Sequence, residues 1–155
     1  MLFQQMNINE AINQKSFSSN IEKAAINLIY THNWYRDNNQ KVFASFGIKG
    51  QHYNILRILK GKHPEPSSPG EIKQVMLDKA PDLTRLLDKL VSMDLVDRHL
   101  CPENRRMMNV YITKAGIQFL QNINDKRASI SQQQQTKFSE ADAEQLSILL
   151  DKFRS

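Results

Sequence analysis

The sequence predicts a mainly α-helical protein with one small β-hairpin. Three observations carry that prediction. Apolar residues recur at helical spacing along most of the chain, helix-start signals precede several of these stretches, and the period shortens to that of strands only between residues 95 and 113. The 155 residues suit one domain, or one domain with an oligomerising extension, and 40% hydrophobic content is enough for a real core. Five glycines and five prolines exclude collagen-like and wholly disordered classes. No apolar run reaches the roughly 18 residues that a bilayer span needs. Met1 to Glu10 lacks the basic and apolar regions of a signal peptide. Cys101 is the single cysteine, so no internal disulfide forms and a cytoplasmic setting is expected.

Taken in order, residues 19–36 place Ile21, Ala24, Ala25, Leu28, Ile29, His32 and Tyr35 on one helical face, with Ser19 or Asn20 as cap. Residues 49–60 repeat the pattern through Tyr53, Leu56 and Leu59, and Gly61 is expected to end that helix. Pro64, Pro66 and two serines make 62–68 a loop. Ser68-Pro69-Gly70-Glu71 combines a cap, a proline at the first helical position and a capping-box glutamate; the short helix it opens carries Ile72, Val75 and Met76. A second helix is expected from Pro81, with Leu83, Leu86, Leu87, Leu90 and Val91 forming a buried stripe and Thr84, Arg85, Asp88, Lys89 and Ser92 on the other side. Residues 95–100 and 109–113 then read as two strands around a tip, Cys101 to Arg106, that holds two adjacent arginines. Thr113 can cap a helix from Lys114, which carries Ile117, Leu120 and Ile123. After the polar run Gln132–Gln135, Ser139 with Asp142 starts a last amphipathic helix bearing Leu146, Leu149, Leu150 and Phe153.

Helix, tight link, second helix and arginine-tipped hairpin form a helix-turn-helix followed by a wing. The leucine stripe anchors the second helix and leaves its polar face free to enter a major groove about 12 Å wide. Thr84 and Arg85, in its first turn, are the expected base readers, and Lys89 is expected to meet phosphate. Arg105 and Arg106 suit the adjacent minor groove or its phosphates. Ser68 can add a phosphate contact to its capping role, and Pro81, Asp82 and Asn104 complete the expected DNA-facing set, Asp82 either pointing away from phosphate or sharpening selectivity.

Asp82-Leu83-Thr84-Arg85-Leu86-Leu87-Asp88-Lys89-Leu90, Leu95-Val96-Asp97-Arg98, Asn104-Arg105-Arg106 and Ile112-Thr113-Lys114-Ala115-Gly116, in that order, resemble the MarR family of winged-helix transcriptional regulators. The resemblance covers roughly residues 48–120. It implies a homodimer whose dimerisation helices lie in 19–40 and 114–153, so that 1–45 and 114–155 form a dimerisation region around a winged helix-turn-helix DNA-binding domain at 46–113. It further implies a pseudo-palindromic operator, usually repression, and release by a small molecule or an oxidant. The chain departs from the family pattern twice. Asn104 stands where the family usually has Asp, and Ala80, before Pro81, stands where the family often has a Ser or Thr cap; Asp78 or Asp82 can compensate for the latter.

Other readings stay open. The net charge of +5 permits a polyanionic partner, although eight basic and seven acidic residues leave 70–116 nearly neutral. A winged-helix protein-interaction module without DNA binding is therefore one alternative, and thiol-based redox sensing through Cys101 is another. His32, Tyr35 and Tyr53 are candidate effector contacts, with core packing as the competing role. His32, His52, His63 and His99 show no metal spacing, so no metal or cofactor is expected. Nothing resembles a phosphate loop, a nucleophile elbow or a paired-carboxylate site, which excludes the common enzyme classes.

Overall fold

The structure, a computed structural model, describes residues 6–78, 82–101, 104, 107–134 and 138–155, without the side chains of 131–134. The chain falls into two compact units, Met1–Lys41 and Val42–Ser155. The first holds α1 (Ile8–Ala11) and most of α2 (Asn20–Ser45). A capping box starts α1, where the Glu10 amide donates to Asn7 Oδ1 at 3.2 Å and the Asn7 amide to Glu10 Oε2 at 3.1 Å. On α2, Ile21, Leu28, Ile29, His32 and Tyr35 of the predicted stripe are all exposed. The helix also runs well beyond residue 36. Nothing between Arg36 and Ser45 breaks a helix, and it ends only near Gly47, whose φ of 72° supplies the left-handed turn.

The second unit contains the last turn of α2, then α3 (Gly50–Lys62), α4 (Pro69–Val75), α5 (Leu83–Ser92), β1 (Val96–Leu100), β2 (Met108–Ile112), α6 (Lys114–Gln134) and α7 (Glu140–Arg154). Gly61 does not end α3. The helix continues to Lys62 and stops at His63, because Pro64 offers no amide to carry the ladder on. Ile55, Leu56 and Leu59 from α3, Leu87 and Leu90 from α5, and Leu120 and Ile123 from α6 form the centre of one core. Each fully buried aliphatic side chain contributes about 1.5–3 kcal/mol.

The strands pair antiparallel, with Val96 opposite Ile112 and Leu100 opposite Met108. This register buries Val96, Val110 and Ile112, and sets Asp97, His99 and Tyr111 on the opposite face. Ser67 adds a third, one-residue strand through two backbone bonds with Val110, at 3.0 and 2.9 Å. At the hairpin root, the Thr113 hydroxyl donates to the Asp94 carbonyl at 2.8 Å and accepts from the Gly116 amide at 2.9 Å, starting α6 as expected. A Cβ on Gly116 would collide with the Leu95 carbonyl oxygen and lie 2.8 Å from Ile112 Cγ1, so only glycine allows this approach. Ser139 and Asp142 form the predicted capping box at the start of α7, which buries no side chain.

Candidate nucleic-acid interface

Helix α4 is built by its cap. The Glu71 amide donates to Ser68 Oγ at 3.2 Å, and the Ser68 amide returns a bond to Glu71 Oε2 at 2.7 Å. Lys62 Nζ reaches Glu71 Oε1 at 2.8 Å; with the Ser68 bonds, this pulls the carboxyl pKa down to about 2. Ser68 is thus engaged by Glu71. Next to it, Ser67 is buried against β2.

The link from α4 to α5 is held from α3. The Leu77 amide donates to Asn54 Oδ1 at 3.0 Å, and Gln51 Nε2 donates to Asp78 Oδ2 at 2.8 Å. Gln51 therefore has a partner within the chain. Pro81 lies outside the described residues. Of the two residues that could stand in for the missing Ser or Thr cap, Asp82 is the one that does: its Oδ1 accepts from the Arg85 amide at 3.4 Å, so the helix proper begins at Leu83 rather than Pro81.

Burial of Leu87 and Leu90 turns Thr84, Arg85, Asp88, Lys89 and Ser92 to solvent. Two acidic side chains on this helix hold arginines. Arg85 Nε lies 3.0 Å from Asp82 Oδ2, with the Arg85 side chain 87% exposed. Arg98 Nη2, from β1, lies 2.6 Å from Asp88 Oδ1 and ties the wing to α5. The sequence held no local sign of this second pair, whose members are ten residues apart in different elements.

At the hairpin tip the Cys101 amide donates to the Met107 carbonyl at 2.9 Å, and the Met107 amide to the Asn104 carbonyl at 2.8 Å. Asn104 is exposed; Arg105 and Arg106 lie outside the described residues. Cys101 is half-buried. No group of three His, Cys, Asp or Glu side chains placed to hold a metal exists among the described residues. No helix among them is long and apolar enough to cross a membrane.

The candidate effector contacts fall in different units. His32 and Tyr35 are exposed on α2 in the first unit. Tyr53 is buried in the second, where it stacks on Phe43 at 4.9 Å. Its hydroxyl donates to Asn124 Oδ1 at 2.7 Å and accepts from Arg127 Nη1 at 2.7 Å. This α3–α6 clasp is a feature that sequence reasoning missed.

No family model matches the chain. It is 32% identical over 75 residues to the uncharacterized HTH-type transcriptional regulator YpoP of Bacillus subtilis, covering 48% of this chain and 52% of that protein. The chain spans about half the length of the curated relatives it matches. Among solved structures, a MepR variant from S. aureus bound to an oligodeoxyribonucleotide shares the fold, at 18% identity and TM-score 0.59, over 83% of this chain and 93% of that one. The crystal structure of a MarR transcription factor from Planctomyces limnophilus is 30% identical, with TM-score 0.66, over 88% of this chain and 98% of that one. With winged-helix architecture, motif order and near-complete coverage of that transcription factor in agreement, the chain belongs to the MarR family of helix-turn-helix transcriptional regulators.

Proposed function

We propose that this regulator is a homodimeric repressor of a pseudo-palindromic operator, released by a small-molecule effector. The observation that carries the reading is the division of α5. Leu87 and Leu90 are sealed in the core, while Thr84, Arg85 and Lys89 project from the opposite face beside an antiparallel hairpin. In the proposed complex, Thr84 and Arg85 read base edges and Lys89 meets phosphate. Ser68 lies at the backbone, and Asn104, Arg105 and Arg106 approach the minor groove. The oligodeoxyribonucleotide complex of the MepR variant supports DNA as the partner. The uncovered apolar faces of α2 and α7 support a second copy of the chain.

Selection of bound duplexes from a random pool tests this. The expected product is a palindrome whose half-sites lie about 34–36 Å apart, one helical turn. A compound screen against that duplex then seeks the effector, whose action requires different affinities for the free and bound states. A second reading, a protein-interaction module, draws support from the pairing of Arg85 with Asp82 and Arg98 with Asp88, which weakens the attraction of α5 for phosphate. Negligible binding to any duplex at low salt would favour that module.

A further inference from the structure

Six of the described helices open with a side-chain cap, and one of them, α5, is wired in reverse. In α1, α4 and α7 a neutral cap, Asn7, Ser68 or Ser139, faces an acid three residues on, Glu10, Glu71 or Asp142, which turns back to the cap amide. In α5 the acid is the cap and the third position is basic, Asp82 and Arg85. A cation in a first helical turn opposes the helix dipole, so Arg85 is not there to stabilise the helix. Capping also needs only one carboxylate oxygen. Asp82 spends Oδ1 on the Arg85 amide at 3.4 Å and sets Oδ2 3.0 Å from Arg85 Nε.

From this geometry we infer that Asp82 is a specificity-determining residue: it pins Arg85 by one edge of its guanidinium and presents the other edge to a guanine in each half-site. The inference rests on the DNA-binding reading proposed above. A guanidinium carries five N–H donors in a fixed fork, and an ion pair whose approach is at Nε leaves the four donors of the two terminal nitrogens to meet another partner. Two of those donors match O6 and N7 of guanine, and no other base offers two acceptors at that spacing in the major groove. In water so exposed an ion pair holds weakly, but the same pair strengthens as DNA displaces solvent from around it. The Asp82 charge also repels phosphate, so it penalises any pose in which Arg85 swings away to grip the backbone. Asp82 thereby trades affinity for discrimination.

The test is duplex selection with the full-length wild type and with Asp82→Asn, Asp82→Ala and Arg85→Ala. Asparagine caps a helix as well as aspartate does, so Asp82→Asn removes the charge and keeps the helix start. The wild type is expected to enrich one guanine in each half-site. Asp82→Asn is expected to bind random duplex more tightly yet lose about tenfold of its preference for that guanine, the size of one good bidentate contact. Asp82→Ala should behave alike, and Arg85→Ala should lose the preference altogether. If the wild type enriches a sequence and Asp82→Asn retains the same guanine preference, the inference is overturned while the DNA-binding reading stands. If the wild type enriches no sequence, both fall.

Discussion

In α5, Leu83, Leu86, Leu87 and Leu90 occupy positions i, i+3, i+4 and i+7; in α7, Leu146, Leu149, Leu150 and Phe153 are spaced identically. Both helices open with an acceptor side chain at the cap. Yet Leu90 is 0% exposed against the core, while Leu149 is 54% exposed and α7 buries nothing. The comparison separates two meanings of one pattern. A 3.6-residue apolar period states that a face needs cover, and says nothing about which chain provides it. In α5 the cover comes from α3 and β1 of the same unit. In α7 the face stays exposed, and on the proposed reading its cover is a second copy of the chain.

Three substitutions sharpen that contrast. Leu90→Ala should have the largest effect, a loss of about 2–5 kcal/mol from the cavity it opens, read as a lower denaturant midpoint. A loss under about 1 kcal/mol would mean that the α5 stripe is not the anchor described.

His52→Gln comes next. The imidazole is buried in α3, and its Nδ1 accepts from the Lys49 amide at 3.0 Å. Burial pushes its pKa below the ordinary 6.5, with the Lys49 and Lys89 charges acting the same way. As pH falls past about 6.5 the unfolded chain therefore takes up this proton first, and the native state loses stability until the folded group also protonates. Glutamine keeps an acceptor and cannot titrate, so the variant should show a flatter stability profile below neutrality than the wild type. Identical slopes in denaturant titrations from pH 7.5 to 5.5 would remove His52 as the cause.

Leu149→Glu should change the fold least, by about 0.5 kcal/mol or less, since the side chain is already in water. Its effect should instead appear in light scattering, as a fall from a two-chain to a one-chain mass. A two-chain mass that survives the substitution would take this face of α7 out of the interface.

Much of the winged helix-turn-helix was legible in the sequence, because its signals are local. The Ser68–Glu71 box, the leucine stripe of 83–91 and the change of period at Leu95 each need fewer than a dozen residues to be read. What escaped was non-local or cooperative. Arg36 to Ser45 is too polar to show a period, so nothing announced that α2 persists to Ser45, where Val42 and Phe43 turn into the core of the second unit. Gly61 carries a helix-ending composition, but the packing of Leu59 and the distance to Pro64 carried α3 through it. The Asp88–Arg98 pair, the Ser67–Val110 bridge and the Tyr53–Arg127 clasp all join residues whose proximity is a product of the tertiary fold. For the site, the expected polar face of α5 is exposed as drawn. The electrostatic wiring of Asp82 was visible only once both of its oxygens had been located.

Gly116 stands in the first turn of the long helix α6, just past the hairpin, with the Leu95 carbonyl filling the space any side chain would occupy. Backbone there lies directly on backbone, with no compressible layer of methyl groups between. A joint of that kind has no slack: tilting α6 would drag the base of the wing with it rather than be absorbed by a change of rotamer. Whatever force reaches α6 is delivered, undamped, to the root of the hairpin, the element that approaches DNA on the proposed reading.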